Sequence, residues 1–166
     1  MNTRQIYSAL KRTLGPDFLG VFPSDQLPET KVGPCAMVIN TDPSTKPGSH
    51  WVAIFIDKNG TADYFDSYGL PPTTVTPISR YFQGFRKQNW SSQNIQAPFS
   101  SVCGHYCIYF ILHRWKNVPF DHILKTFSPD CEENDEAITD WINETFDLDT
   151  ETYDVEFLIN QICQSR

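Results

Sequence analysis

Long apolar runs, internal repeats and regularly spaced cysteines are all missing from this sequence of 166 residues. The absence of about 18 consecutive apolar residues excludes a transmembrane helix. The first 15 residues, MNTRQIYSALKRTLG, are typical of an amphipathic helix and lack the apolar segment of a signal peptide. Five cysteines at irregular spacing do not form a disulfide framework, so a reducing compartment is expected.

A strong excess of basic residues is also missing. The net charge is −7, and 12 of the 20 acidic residues lie in 130–166, where they are typical of a solvated helix face. The rest of the chain is mildly basic and lacks the footprint of a dedicated nucleic-acid binder, which leaves only a weak contact with DNA open. Neither a membrane nor a nucleic acid is therefore the expected main partner.

The chain does contain the length and apolar content of one domain over 1–166, with 40% hydrophobic and 14% aromatic residues. Short β-branched and aromatic runs bounded by turn residues predict strands at 35–41, 50–57 and 62–68. Periodicity predicts helices at 3–14, 77–87, from 103, 119–127, 133–146 and 154–163, and 15–34 is rich in proline and glycine and predicted as loop. This pattern predicts an α+β fold in which helices flank a small antiparallel sheet.

One hairpin can be predicted in detail, because KNG joins the second and third strands. A two-residue loop would place His50 and Asp66 on opposite faces of the sheet. A three-residue loop, with Gly60 as the left-handed residue of a bulge, pairs Val52 with Asp66 instead. His50 and Asp66 are then diagonal neighbours on one face, roughly 7–8 Å apart. We predict the bulged hairpin, because a histidine and an acid that act together must lie on the same face of the sheet.

The segment SSVCGHYC (100–107) concentrates side chains that bind metals or act as nucleophiles. Zinc needs three or four converging ligands. On a helix Cys103 and Cys107 share a face, but His105 lies about 200° around from Cys103 and points away. The other cysteines and histidines show no paired ligand spacing, so no metal is expected and Cys107 is predicted to lie in the core.

A nucleophile fits this segment better. Ser100 or Ser101 can cap a helix whose first turn contains Cys103. The helix dipole and the free N–H groups at that end favour the thiolate, which is the reactive form. Gly104 leaves room for a substrate backbone. The alternative is that Cys103 is a small buried apolar residue, as lone cysteines often are.

Partners for such a nucleophile are present elsewhere in the chain. His50 can form a thiolate–imidazolium pair with Cys103. Asp66 can accept a hydrogen bond from the other ring nitrogen and so orient the imidazole. Gln96 can donate its amide N–H to a developing oxyanion, alongside the backbone N–H of Cys103. Each also has a purely structural interpretation, as a strand-end histidine, a turn former and a loop residue.

The strings SHWVAIFID, YFDSYG and QAPFSSVCGHYC resemble the His-Trp, acid and Gln-x6-Cys-Gly signatures of adenovirus-type (adenain-like) cysteine proteases. That group belongs to the same superfamily as the proteases that deconjugate ubiquitin-like proteins. DFLGVF (17–22) and CAMVINTDPSTKPGSHW (35–51) also resemble adenoviral segments, so the similarity spans 17–110. Within the group, the sequence is most similar to proteases of Maverick/Polinton elements and adintoviruses.

The resemblance implies a papain-like cysteine endopeptidase with the chain order His, Asp, Gln, Cys. By it, His50 is the general base, Asp66 orients it, Cys103 is the nucleophile and Gln96 stabilises the oxyanion, while Trp51 shapes the substrate cleft. Proteases of this type mature virion precursors at glycine-containing sites. The resemblance thus implies protein substrates, a monomer, and a location in the host nucleus or cytoplasm and in the virion.

Two departures from the adenoviral pattern matter. Adenoviral enzymes use Glu where this chain has Asp66, a choice shared with the deconjugating branch. Their activating peptide forms a disulfide with a cysteine upstream of the glutamine, yet 67–102 contains no cysteine. We therefore expect no cofactor and no disulfide-tethered activator, with an untethered peptide or DNA left open. The alternative functions are a ubiquitin or SUMO deconjugating protease and an inactive capsid or DNA-binding module.

Overall fold

A five-stranded sheet organises the computed structural model, which describes residues 1–29 and 32–146. The strands, in spatial as well as chain order, are β1 (Phe18–Pro23), β2 (Cys35–Asn40), β3 (Trp51–Ile56), β4 (Thr61–Phe65) and β5 (Lys87–Asn89). The α-helices are α1 (Thr3–Leu14), α2 (Thr76–Gln83), α3 (Cys103–Trp115), α4 (Phe120–Leu124) and α5 (Cys131–Thr145). The helix predicted at 154–163 lies outside the described residues.

The centre of the sheet is antiparallel, as predicted, but its two outer strands pair in parallel. β2, β3 and β4 form antiparallel pairs, whereas β1 runs parallel to β2 and β5 parallel to β4. The prediction of a loop over 15–34 is wrong for β1. Gly20 and Pro23 are typical of loops, but an edge strand tolerates both the register shift before Gly20 and a proline at its end. The predicted helix 77–87 is also too long, since α2 ends before Gly84 and the chain continues into β5.

Both faces of the sheet are buried, which explains why the central strands are continuously apolar in sequence. Alternate residues of each strand enter two separate cores. One core lies under α1 and α3 and contains Val38, Ala53 and Phe65, and the ring of Phe65 stacks on that of Phe110 at 4.6 Å. The other core lies on the opposite face and includes residues of α2, among them Ile78.

Helix α3 is buried along most of its length and packs on β3, so the chain direction places its N-terminus at the edge of the sheet where β3 begins. An ion pair anchors its other end: Arg114 Nε donates to Asp63 Oδ2 on β4 at 2.6 Å. The same guanidinium lies 5.0 Å from the centre of the Phe55 ring. These contacts determine where Cys103, the first residue of α3, meets the sheet.

Helix α5 carries the acidic residues near the end of the described chain. Asp130 caps α5 by accepting hydrogen bonds from the N–H groups of Glu132 and Glu133, whose carboxylates lie at the positive end of the helix. Glu136, Asp140 and Glu144 continue the exposed face. Among residues 1–29 and 32–146, no helix combines the length and apolar content that crossing a bilayer requires.

Candidate active site

The β3–β4 hairpin has the predicted register. Ile56 pairs with Ala62 and Ala53 with Phe65, which places Val52 opposite Asp66. The N–H of Asp57 donates to the carbonyl of Thr61, and Gly60 adopts a φ of 78° in the three-residue loop. The left-handed glycine that bulged three-residue loops require is therefore present.

This register brings His50 and Asp66 into direct contact. His50 immediately precedes β3 and Asp66 immediately follows β4. His50 Nε2 lies 2.9 Å from Asp66 Oδ1, and the same oxygen accepts the backbone N–H of Tyr68 at 2.8 Å. Because Nε2 is bonded to Asp66, the other ring nitrogen, Nδ1, is left for Cys103.

The thiol of Cys103 lies against this histidine at the start of α3. It is hydrogen-bonded to the His50 side chain and to the backbone N–H groups of Trp51 and Gly104. Burial by itself would raise the pKa of Cys103, but the His50 hydrogen bond, the two N–H groups and the charge of His50 outweigh it and lower the pKa below 9.0. The site thus favours the thiolate.

His50 is correspondingly biased towards its charged form. Burial lowers the pKa of His50, yet hydrogen bonds to Asp66 and Cys103 and the charges of both raise it from 6.5 to about 9. A thiolate on Cys103 and an imidazolium on His50 therefore stabilise each other across one hydrogen bond. Asp66 holds the ring in the orientation that this pair needs.

Gln96 is fully buried beside the same cluster, but its amide already has partners. Its Oε1 accepts from Ser67 Oγ at 2.6 Å. Its Nε2 lies 3.0 Å from the carbonyl oxygen of Ser100, 3.1 Å from the Tyr68 hydroxyl and 3.2 Å from Ser100 Oγ. The structure therefore places Gln96 in the site with its N–H groups engaged by the protein.

Two local expectations need correction. Neither Ser100 nor Ser101 caps α3: the N-cap residue is Val102, without a side-chain cap, because Ser100 is held by Gln96. Gly104 does not leave room for a substrate on its α-carbon side. A Cβ there would lie 3.1 Å from Ile6 Cδ1 and 3.3 Å from Met1 Cβ, so this glycine permits close packing against the chain around α1.

The other side chains of the segment lie where helical geometry predicted. Cys107 is buried in the core under α1 and α3, and burial raises the pKa of its thiol. His105 is not among the contacts of Cys103. Burial and the charge of the N-terminus lower the pKa of His105 to about 4, although the charge of Asp135 raises it. Trp51 is half-buried, contributes its N–H to Cys103 and lines a surface cavity of about 520 Å³.

Sequence reasoning missed the residues that connect these groups. The Tyr68 hydroxyl donates to the carbonyl of Ser100 at 3.1 Å, and its ring lies 5.0 Å from that of His50. The carbonyl of Ser67 accepts the N–H groups of Ile95 and Gln96. Tyr68 and Ser67 stand in the YFDSYG string, but its sequence carries no signal that links them to residues about 30 positions away.

Comparisons with known proteins connect the chain to viral proteases. It is 35% identical over 102 residues to a cysteine protease of African swine fever virus, covering 54% of this chain, and the match spans only 37% of that protein's length. It is 28% identical over 143 residues to the protease of human adenovirus B serotype 3, covering 72% of this chain and 66% of the relative. No protein-family model matches the chain.

Solved structures show the same fold. ChlaDub1 of Chlamydia trachomatis superposes with a TM-score of 0.63 at 18% identity, covering 93% of this chain and 95% of that one. The African swine fever virus protease superposes with a TM-score of 0.54 at 23% identity, covering 84% and 66%. The expected papain-like α+β fold is confirmed. The relatives support the superfamily that contains adenovirus-type and deconjugating proteases.

Proposed function

We propose that this chain is a cysteine endopeptidase in which Cys103 is the nucleophile, His50 the general acid and base, and Asp66 the residue that orients His50. The observation that carries the proposal is the continuous hydrogen-bonded chain from Asp66 through His50 to Cys103. A buried cysteine without a catalytic role has no need of a histidine and two N–H donors on its sulfur. Similarity to viral cysteine proteases supports the same activity.

The reaction follows from this geometry. The Cys103 thiolate attacks the scissile carbonyl carbon, and the resulting oxyanion collapses to a thioester as His50 protonates the leaving amine. His50 then removes a proton from water, which attacks the thioester and releases the carboxylic acid product. Gln96 stabilises the oxyanion if the substrate displaces one of its present acceptors, Ser100 or Tyr68. Trp51 forms part of the substrate cleft.

We further propose virion precursor proteins cleaved at glycine-containing sites as substrates, on the motif resemblance to adenain-like proteases, including those of Maverick/Polinton elements and adintoviruses. The enzyme would act as a monomer in the infected cell and the virion, without a metal or a disulfide-tethered activator. Assays with and without DNA or an added peptide test whether an untethered activator raises the rate.

A deconjugating protease is the second candidate. It is favoured by the Chlamydia trachomatis effector Cdu1, solved bound to ubiquitin, which superposes with a TM-score of 0.60 at 17% identity. It is also favoured by Asp66, which departs from the Glu of the adenoviral pattern. Ubiquitin and SUMO vinyl sulfone probes distinguish the two. Labelling of Cys103 without cleavage of glycine-containing peptides would favour deconjugation.

Mutation of the triad tests the proposed activity. Cys103→Ala is expected to abolish cleavage of a peptide library while leaving the circular dichroism spectrum unchanged, because the nucleophile is lost and a small buried residue remains. Asp66→Ala is expected to reduce kcat/KM less than His50→Ala, since Asp66 orients a base that stays present.

Cys131→Ala provides the matched control, because this half-buried cysteine lies at the start of α5 and its sulfur faces the Asn94 carbonyl at 3.9 Å. It should keep wild-type activity. Turnover by Cys103→Ala would overturn the assignment of the nucleophile, and equal losses for Asp66→Ala and His50→Ala would give Asp66 a different role.

A further inference from the structure

The chain between Gln96 and Cys103 contains a turn with an unusual residue at its corner. The N–H of Ser100 donates to the carbonyl of Ala97 at 3.3 Å, which closes a β-turn. Pro98 occupies its second position, and Phe99 occupies the third with a φ of 65°. Proline followed by a positive φ is the signature of a type II turn, whose third position favours glycine or asparagine. An aromatic residue is strained there.

Hydrogen bonds on both sides hold the turn in this conformation. The N–H of Ala97 donates to Asp135 Oδ2 at 3.3 Å. At the other end, the carbonyl of Ser100 accepts from Gln96 Nε2 at 3.0 Å and from the Tyr68 hydroxyl at 3.1 Å. The turn is therefore part of the same network that positions the catalytic cluster, and Phe99 cannot relax its backbone without breaking that network.

The fold does not bury the side chain of Phe99, so no packing energy offsets the backbone strain. Its relative exposure is 104%, the highest of the exposed large apolar residues in the described part of the chain. A single exposed apolar side chain is common on protein surfaces. A fully exposed phenylalanine is uncommon at a position where glycine would remove the strain. In the free protein, both the backbone conformation and the exposure of the ring to water disfavour phenylalanine there.

We infer that Phe99 is a substrate-contact residue whose ring packs against an apolar side chain of the bound polypeptide near the scissile bond. This inference rests on the proposed peptidase function. The location carries it: Phe99 lies three residues after the oxyanion donor Gln96 and four before the nucleophile Cys103, at the tip of a turn held by the site's own hydrogen bonds. A polypeptide bound at Cys103 would cover the ring and offset its exposure.

Kinetics of Phe99 variants test the inference. Phe99→Gly and Phe99→Asn both suit a positive φ, so their Tm values should equal or exceed that of the wild type. Peptides are matched except at the positions flanking the scissile bond, which carry leucine or serine. For the wild type we expect a preference for leucine at one of these positions. Both variants should lose that preference, with kcat/KM for the leucine peptide reduced about tenfold through KM.

Phe99→Leu is the matched variant, because it keeps an apolar side chain at the turn and should retain part of the preference. Alkylation of Cys103 by iodoacetamide should proceed at the wild-type rate in all three variants, since the Phe99 ring is fully exposed whereas Cys103 is buried. A fall in kcat together with altered alkylation would show that the turn positions Gln96 or Cys103 instead, and would overturn substrate contact.

Two further results separate this inference from the proposed function. If the wild type cleaves peptides and Phe99→Gly keeps both the leucine preference and kcat/KM within twofold, the inference is wrong and the peptidase stands. If the wild type cleaves no peptide and its Cys103 is alkylated no faster at pH 7 than in His50→Ala, both fail together.

Discussion

At the scale of single residues, the environment of the sulfur distinguishes Cys103 from the other buried cysteines. Burial raises the pKa of Cys35 to about 11, with a smaller contribution from the charge of Asp17. Burial also raises the pKa of Cys107, which lies one helical turn from Cys103 on α3. Cys103 is buried as well, yet its pKa is lowered, because His50 and two backbone N–H groups contact the sulfur. The difference in pKa between these buried cysteines therefore comes from the neighbours of each sulfur and not from its exposure.

The same contacts predict how activity depends on pH. The proposed mechanism needs a deprotonated Cys103 and a protonated His50. Because the pKa of Cys103 is lowered from its ordinary value and that of His50 is raised to about 9, the pH range in which the two charged forms coexist is widened at both ends. Activity should rise as Cys103 deprotonates and fall as pH passes about 9, where His50 loses the proton that the leaving amine requires. A profile of kcat/KM from pH 5 to about 10 measures both limbs.

His50→Ala provides the comparison for the thiol itself. Without the imidazole, burial of Cys103 is less opposed, so the midpoint of its alkylation by iodoacetamide should move to higher pH. The wild type should still react at pH 7, where the variant is slow. Identical alkylation profiles in the two proteins would show that His50 does not stabilise the thiolate.

At the scale of elements, the β3–β4 hairpin decides whether a site exists. Side chains alternate between faces of a sheet, so a shift of one residue in its register would move Asp66 away from His50. Gly60 makes the observed register accessible, since its φ of 78° is in the left-handed region. No atom lies within 4 Å of the place where a Cβ would stand at Gly60, so only the backbone conformation opposes a side chain there.

Substitution of Gly60 separates backbone strain from steric clash. Gly60→Val should lower the free energy of unfolding by about 1–2 kcal/mol, because a β-branched residue disfavours a positive φ. Gly60→Asn should lose less, since asparagine tolerates this conformation. Urea denaturation of both variants measures the difference. Equal stabilities would mean that the loop does not need a left-handed residue, and activity per folded molecule should stay at the wild-type value in both.

At the scale of the whole molecule, one buried ion pair connects the sheet to α3, the helix that begins at Cys103. Asp63 on β4 is completely buried. Its carboxylate accepts hydrogen bonds from Arg114 Nε on α3 at 2.6 Å and from Asn89 Nδ2 on β5 at 2.8 Å. Arg114 also donates to the carbonyl of Val118 after the end of α3. The pair thus joins β4, β5 and α3 at the end of the molecule opposite Cys103.

Removing one partner of this pair should be costly. Asp63→Ala is expected to lower the free energy of unfolding by about 3–5 kcal/mol, because it leaves the Arg114 guanidinium mostly buried and unpaired. Asp63→Ala combined with Arg114→Met should recover part of that loss, since the buried charge is gone. Asp140→Ala, on the exposed face of α5, should change stability by less than about 0.5 kcal/mol. If Asp63→Ala lowers the free energy of unfolding no more than Asp140→Ala does, the Asp63–Arg114 pair does not anchor α3 to the sheet.

Much of this architecture could be predicted because its signals are local. Helix α1 begins with a capping box formed by Asn2 and Gln5, and its predicted range, 3–14, is confirmed. The central strands are apolar runs bounded by turn residues, and their antiparallel pairing is confirmed. The sequence does not predict β1, because Gly20 and Pro23 interrupt its apolar run, and it does not predict β5, because pairing and not composition makes that segment a strand. β5 has the exposed polar sequence KQN and exists through its parallel partner β4 and the Asn89–Asp63 hydrogen bond.

The amino-acid sequence alone specifies which reactive groups are present: a cysteine, a histidine, an acid and a glutamine in a specific order, with a glycine that sets the hairpin register. Their catalytic roles stay predictions. Which of these groups are in contact depends on how the helices pack on the sheet. The approach of α3 to β3 places the Cys103 thiol on His50 and on the Trp51 N–H, and packing against Ile6 gives Gly104 its role. Contacts between segments far apart in the chain arise from packing, and neither periodicity nor local propensity encodes them.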